Sequence, residues 1–156
     1  MTRWLTEQEL ASWFPLAGVM LKLNTALDSQ LQRDSDLTHF DYLCLAMLSE
    51  KPEFTSTMSE LAGRTNASLS RLSHVISKLE RRGLVCRSRS DVSRRVTMVQ
   101  MTDEGYAVLV AAAPGHVETV RSLIYDGLTP EDVANLERLM THVLDRIEAS
   151  GLRASC

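Results

Sequence analysis

Residues 57 to 101 carry a pattern with few structural solutions. Thr57, with Glu60 three residues on, opens a short helical segment containing Leu61 and Ala62. Asn66 suits a left-handed turn, and Ser68 then caps a second segment. In that segment Leu69, Leu72, Val75, Ile76 and Leu79 recur on one face at helical spacing, and Gly83 closes it. Two stretches of alternating character follow, Leu84 to Arg89 and Val96 to Met101, joined by Ser90 to Arg94. They predict a β-hairpin with a basic tip. Two short helices at a tight turn, then a hairpin, make a helix-turn-helix with a wing.

The flanks are helical. Thr6 with Glu9 forms a capping box, and Leu16, Val19, Met20, Leu23, Leu27 and Leu31 continue a helix to about Arg33, with a kink or break expected at Pro15. Thr38 with Asp41 caps another helix, carrying Leu43, Leu45, Ala46, Met47 and Leu48 and ending before Pro52. Thr102 caps a helix from Asp103 that Pro114 should interrupt and Gly127 should end. Thr129, Pro130 and Asp132 begin the last helix, with Val133, Leu136, Leu139, Met140, Val143, Leu144 and Ile147 as its apolar set. The expected fold is mainly α with a small β-hairpin wing, a winged helix-turn-helix flanked by N- and C-terminal helices.

At 156 residues the chain reads as one domain, without internal repeats. Its longest uncharged apolar run, Tyr106 to Pro114, is far short of the ~20 residues of a membrane span, and no export signal opens the chain. The three cysteines are odd in number and widely spaced, which points to a reducing compartment, the cytoplasm by default. Cys44 reads as core, Cys86 lies in the first wing strand, and Cys156 ends the chain. His39, His74, His116 and His142 show no metal-ligand spacing, so neither a metal nor another cofactor is expected. A nucleophile paired with a base and a Gly-rich loop are both missing, which argues against an enzyme.

Charge singles out one module. Between Arg64 and Arg95 nine basic residues face two acidic ones, a net +7, whereas the other eight basic and eighteen acidic residues give −10. A polyanion is the natural partner of such a module, although an acidic protein is an alternative. The start of the second helix of a helix-turn-helix enters the major groove, and Ser70, Arg71, Ser73 and His74 are its outward positions. Arginine bonds both acceptors of guanine, and serine suits either kind of base edge. Ser68, as cap, leaves amides for a phosphate. Lys78, Arg81 and Arg82 lie further along, where they face backbone phosphates; Arg87 and Arg89 extend the basic run onto the wing, whose Arg94 and Arg95 reach toward a minor groove. The first and last helices carry more apolar surface than the winged lobe covers, which predicts a two-fold homodimer.

The stretch SELAGRTNASLSRLSHVISKLERRGLVCRSRSDVSRRVTMVQMTDEG resembles the winged-helix core of the MarR family of bacterial transcription regulators. The RRGLV turn, the wing arginine and the closing MTDEG fall at the family's spacing, and the flanking helices match its layout. The resemblance implies a homodimer on a palindromic duplex site, most often a repressor released by a small aromatic or phenolic effector. It implies dimerisation helices over 1–36 and 103–150 and a DNA-binding lobe over 37–102 within a single domain, 1–156. Ser68, Ser70, Arg71, Ser73 and His74 match the base-reading start of the recognition helix, and Arg95 matches the minor-groove arginine. Trp13, His39 and Tyr42 fall on the helices that border the family's ligand cleft. One position departs: Ser93 stands where the family usually has a wing-bracing Asp.

Overall fold

The computed structural model of the chain describes residues 1–90, 93 and 95–151. Its order is α1 (Glu7–Ser35), α2 (His39–Ser49), β1 (Thr55–Thr57), α3 (Met58–Arg64), α4 (Leu69–Arg81), β2 (Val85–Arg89), β3 (Thr97–Met101), α5 (Asp103–Val120) and α6 (Pro130–Ala149). Residues Arg121–Tyr125 form a π-helical turn after α5.

Local capping sets most of these boundaries. In α1 the Glu9 amide donates to Thr6 Oγ1 (3.2 Å) and the Thr6 amide to Glu9 Oε2 (2.7 Å). The same reciprocal box opens α2 at Thr38 and Asp41 and α6 at Thr129 and Asp132. Each box satisfies helix-end donors that have no partner in the backbone ladder. Asp36 (φ 51°) and Asn66 (φ 49°) take the left-handed conformation at the turns after α1 and α3.

Neither proline breaks its helix. Helix α1 runs through Pro15 and α5 through Pro114, so neither residue ends a helix. A proline inside a helix forfeits one N–H bond and crowds the preceding turn, at ~3 kcal/mol. Around Pro114 that cost is offset by packing, since Leu109 and Ala112 are buried in the core. The irregularity falls later, where the Asp126 amide reaches back to the Arg121 carbonyl (2.8 Å).

The core lies beneath the recognition unit. Leu72, Ile76 and Leu79 of α4 are fully buried with Leu45 and Leu48 of α2, Leu61 of α3, Val85 and Val99 of the sheet, and Leu31 of α1. Leu69, expected on that face, is instead 50% exposed. It is the first helical residue, and side chains tilt toward the helix N-terminus, so it projects beyond the elements that cover the later turns.

The wing holds an additional strand. β1 pairs antiparallel with β3 (Ser56 opposite Val99), and β3 pairs with β2 (Arg87 opposite Val99), giving the order β1-β3-β2. The wing is closed onto α5 by MTDEG. Thr102 Oγ1 donates to the Gly83 carbonyl (2.7 Å) and accepts from the Gly105 amide (3.0 Å), while the Thr102 amide donates to the Leu84 carbonyl (3.1 Å).

Much of α1 and all of α6 leave apolar side chains in solvent, among them Phe14, Val19, Met20, Leu21, Leu144 and Ile147. Between the two helices runs a groove of about 1140 Å³, lined by Phe14, Val19, Leu23, Tyr125, Leu136 and Met140 among others. Among the described residues no helix is long and apolar enough to cross a membrane.

Candidate nucleic-acid interface

Helix α4 presents a polar face opposite its buried stripe. Ser70, Arg71 and His74 are exposed, Ser68 and Ser73 half-buried. Ser68 Oγ accepts the Arg71 amide (3.2 Å), which fixes the first turn. The other α-helices all carry acids in their first turn, whereas α4 has none. The positive end of its dipole is therefore left without an internal counter-charge, and an anion is favoured there.

Several basic residues of the charged run are engaged within the subunit. Lys78 Nζ lies 2.6 Å from Asp41 Oδ2, and that carboxylate is 1% exposed. Arg82 donates to the Asp36 carbonyl (2.5 Å). Arg64 pairs with Glu50 and donates to the Met47 carbonyl (2.8 Å). Arg87 forks onto Glu80 through Nε (3.0 Å) and Nη2 (2.7 Å), and Nη2 also reaches Ser77 Oγ (3.1 Å). These hydrogen bonds from Arg87 hold the Glu80 carboxyl below the usual carboxylate range. Lys78, Arg82 and Arg87 thus bind α4 to its neighbours. Arg71, Arg81, Arg89 and Arg95 are the exposed cations of the run among the described residues.

At the wing tip the Ser90 amide donates to the Val96 carbonyl and the Val96 amide to the Ser93 carbonyl, both at 3.0 Å. Ser93 Oγ accepts the Arg95 amide (3.4 Å), so a serine braces the turn in front of Arg95. Arg94, Asp91 and Cys156 lie outside the described residues.

The three cleft residues are not brought together. His39 and Tyr42 meet at His116 of α5, which sequence reasoning had left unassigned: ring centroids are 5.6 Å apart for His39 and His116 and 4.3 Å for Tyr42 and His116. The His39 amide donates to Asp28 Oδ1 of α1 (2.5 Å). Trp13 is 46% exposed. It lies ~22 Å along the helix axis from Asp28, at 1.5 Å per residue. Nothing in the order of the residues marks His116, because only the packing of α5 on α2 places it there.

Burial lowers the pKa of His39, with Asp28 opposing; burial and then the His39 charge lower that of His116. His116 Nδ1 is buried without a hydrogen-bond partner. A depressed histidine pKa means that the unfolded chain binds protons which the native state refuses. The contribution is fully present above the ordinary value of 6.5 and is lost as pH falls through the folded-state values. His116→Phe retains an aromatic ring without the titration. Thermal unfolding of this variant should fall less between pH 6.5 and 5 than that of the parent; parallel curves would remove the pair as a source of acid lability.

Cys44 is fully buried, and burial pushes its thiol up to about 12, so it remains a core residue without thiolate character. Cys86 is exposed on β2. Among the described residues no three potential ligands gather around a metal position.

Fold and surface together define a winged helix-turn-helix protein with an outward-facing basic recognition helix. Residues 37–97 match the family model described as the MarR family. The chain is similar to Sco3205, a MarR family transcriptional regulator from Streptomyces coelicolor solved in complex with DNA: 40% identity, 99% of this chain and 94% of that one covered, TM-score 0.89. It is also similar to AbsC, a MarR family regulator from the same organism, at 35% identity, with 95% and 99% covered and a TM-score of 0.89. The HTH-type transcriptional regulator MhqR of Bacillus subtilis (strain 168) is 23% identical over 143 residues, 92% of this chain and 93% of that protein. The chain belongs to the MarR family of transcriptional regulators.

Proposed function

We propose that the chain is a ligand-responsive repressor that reads a palindromic operator as a homodimer, with α4 in the major groove and the wing along the adjacent minor groove. Residues 37–102 form the DNA-binding lobe, and 1–36 with 103–150 the dimerisation arms. One observation carries the reading: α4 buries Leu72, Ile76 and Leu79 and turns Ser70, Arg71 and His74 to solvent at an end without an acid. The contact set is Ser68, Ser70, Arg71, Ser73 and His74 from α4, with Arg89 and Arg95 from the wing. DNA bound to Sco3205, which shares the fold over nearly its full length, supports this choice of ligand. We place the action of a small aromatic effector beside His39, Tyr42 and His116, where α2 meets α5.

Selection of bound sequences from a random duplex pool tests the proposal. The parent protein should enrich a two-fold symmetric site, and its affinity should fall steeply with salt, about −0.9 in log-log slope per phosphate neutralised. Arg71→Ala should weaken operator binding by about 1–3 kcal/mol and relax one base position in each half-site. An unaltered consensus for that variant would take Arg71 out of the reading set. A basic face meant for an acidic protein would enrich no duplex sequence.

A further inference from the structure

We propose that the first turn of α2 is the seat of the recognition helix: Phe40 positions Arg71 for base reading, and Asp41 withholds Lys78 from the DNA backbone. Neither residue need touch DNA. The inference rests on the DNA-reading function above and assigns the origin of its specificity to two residues outside the recognition helix.

The geometry is specific. The Arg71 guanidinium lies over the Phe40 ring, 4.3 Å from its centroid. This cation–π contact uses no hydrogen-bond acceptor, so among the described residues the Arg71 side-chain N–H donors, which a bidentate contact to guanine requires, keep no acceptor within the subunit. An unrestrained arginine carries rotamer entropy that base reading must remove, and the ring restricts it beforehand. The ring also places electron density beside a cation held at the positive end of a helix.

Asp41 acts seven residues further along α4. Its Oδ2 accepts the Thr38 amide (2.8 Å), closing the cap of α2, and the Lys78 ammonium (2.6 Å). Arg71 and Lys78 are ~10 Å apart along the helix axis, so α4 is held to one turn of α2 at two points. The other side of that turn is itself supported, because Tyr42 and His39 rest against His116 of α5. A lysine held by a buried carboxylate does not neutralise a phosphate, so the operator contact set is smaller than the basic run suggests.

Three substitutions in the whole chain, one of them also combined with Arg71→Ala, test the seat by pool selection and by salt titration on the selected site and on an unrelated duplex. Phe40→Leu keeps an apolar side chain without a π face. It should lose about two- to five-fold in operator affinity, the cation–π contribution, at the base position that Arg71→Ala relaxes, with unrelated-duplex affinity unchanged. In an Arg71→Ala background it should cost nothing more, and Phe40→Trp should restore parent behaviour. Asp41→Asn retains an acceptor for the Thr38 amide but releases Lys78, so the salt dependence should steepen by ~0.9 as one more phosphate is neutralised. Equal losses on operator and unrelated duplex, full additivity with Arg71→Ala, or an unchanged or shallower slope for Asp41→Asn would each overturn the seat. A parent that selects a site beside a Phe40→Leu variant indistinguishable from it overturns the seat alone. A parent that selects no sequence overturns the DNA-reading function and the seat together.

Discussion

Gly105→Ala is expected to destabilise the subunit by about 3 kcal/mol or more, at the upper end of what overpacking costs. An ideal Cβ at this position would sit on the Leu84 carbonyl oxygen and 2.9 Å from Met101 Cγ. The methionine can rotate away, but the carbonyl cannot, since it accepts the Thr102 amide where wing and α5 join. Relief therefore requires α5 to move off the wing, which breaks the Thr102 cap. In urea titration the midpoint should fall, and by scanning calorimetry Tm should drop by about 6–12 °C for a domain of this size. Gly63→Ala is the control. Nothing lies within 4 Å of a Cβ there, the site is helical, and stability should rise by about 0.5–1 kcal/mol. Equal behaviour of the two variants would mean that α5 does not bear on the wing as described.

The second large effect concerns assembly. Met140→Glu places a charge in the α1–α6 groove, on a helix that buries no residue within its own subunit. The subunit fold should survive, because that side chain is already 40% exposed. The homodimer should not survive, since pairing the apolar faces of α1 and α6 would bury an unpaired carboxylate. Analytical ultracentrifugation should show a dimer for the parent and, at the same concentration, a monomer for the variant. Linking two half-site contacts multiplies affinity by about 10²–10⁴, so binding to the full palindrome should fall by that order, with single-half-site binding preserved. A dimeric variant with parent affinity would place the interface elsewhere.

The legible parts of this protein are those governed by short sequence separations. The Thr6, Thr38, Thr57, Ser68, Thr102 and Thr129 caps all appear where their spacing predicts, because a cap joins a side chain to a backbone amide three residues away. The buried stripe of α4 and the β2–β3 hairpin follow from local periodicity in the same way. At Pro114 the local cost is overcome by the burial of Leu109 and Ala112, so α5 continues where an interruption was expected. Strand β1 was missed because three residues carry no readable period, and its pairing with β3 is non-local.

The candidate site divides along the same line. Composition and periodicity located the basic helix α4, its outward Ser70, Arg71 and His74, and the β2–β3 hairpin, whereas Ser73, expected outward, is half-buried. Which cations face solvent was decided by contacts across 37 residues for Lys78 and Asp41, 46 for Arg82 and Asp36, and seven for Arg87 and Glu80. The Phe40–Arg71 cation–π contact and the His39–Tyr42–His116 cluster arise in the same manner. Hydrogen-bond caps and amphipathic faces repeat along the chain with periods that a sequence displays directly. The partner of a long charged side chain depends on which helices the core brings side by side, and only the folded chain supplies that.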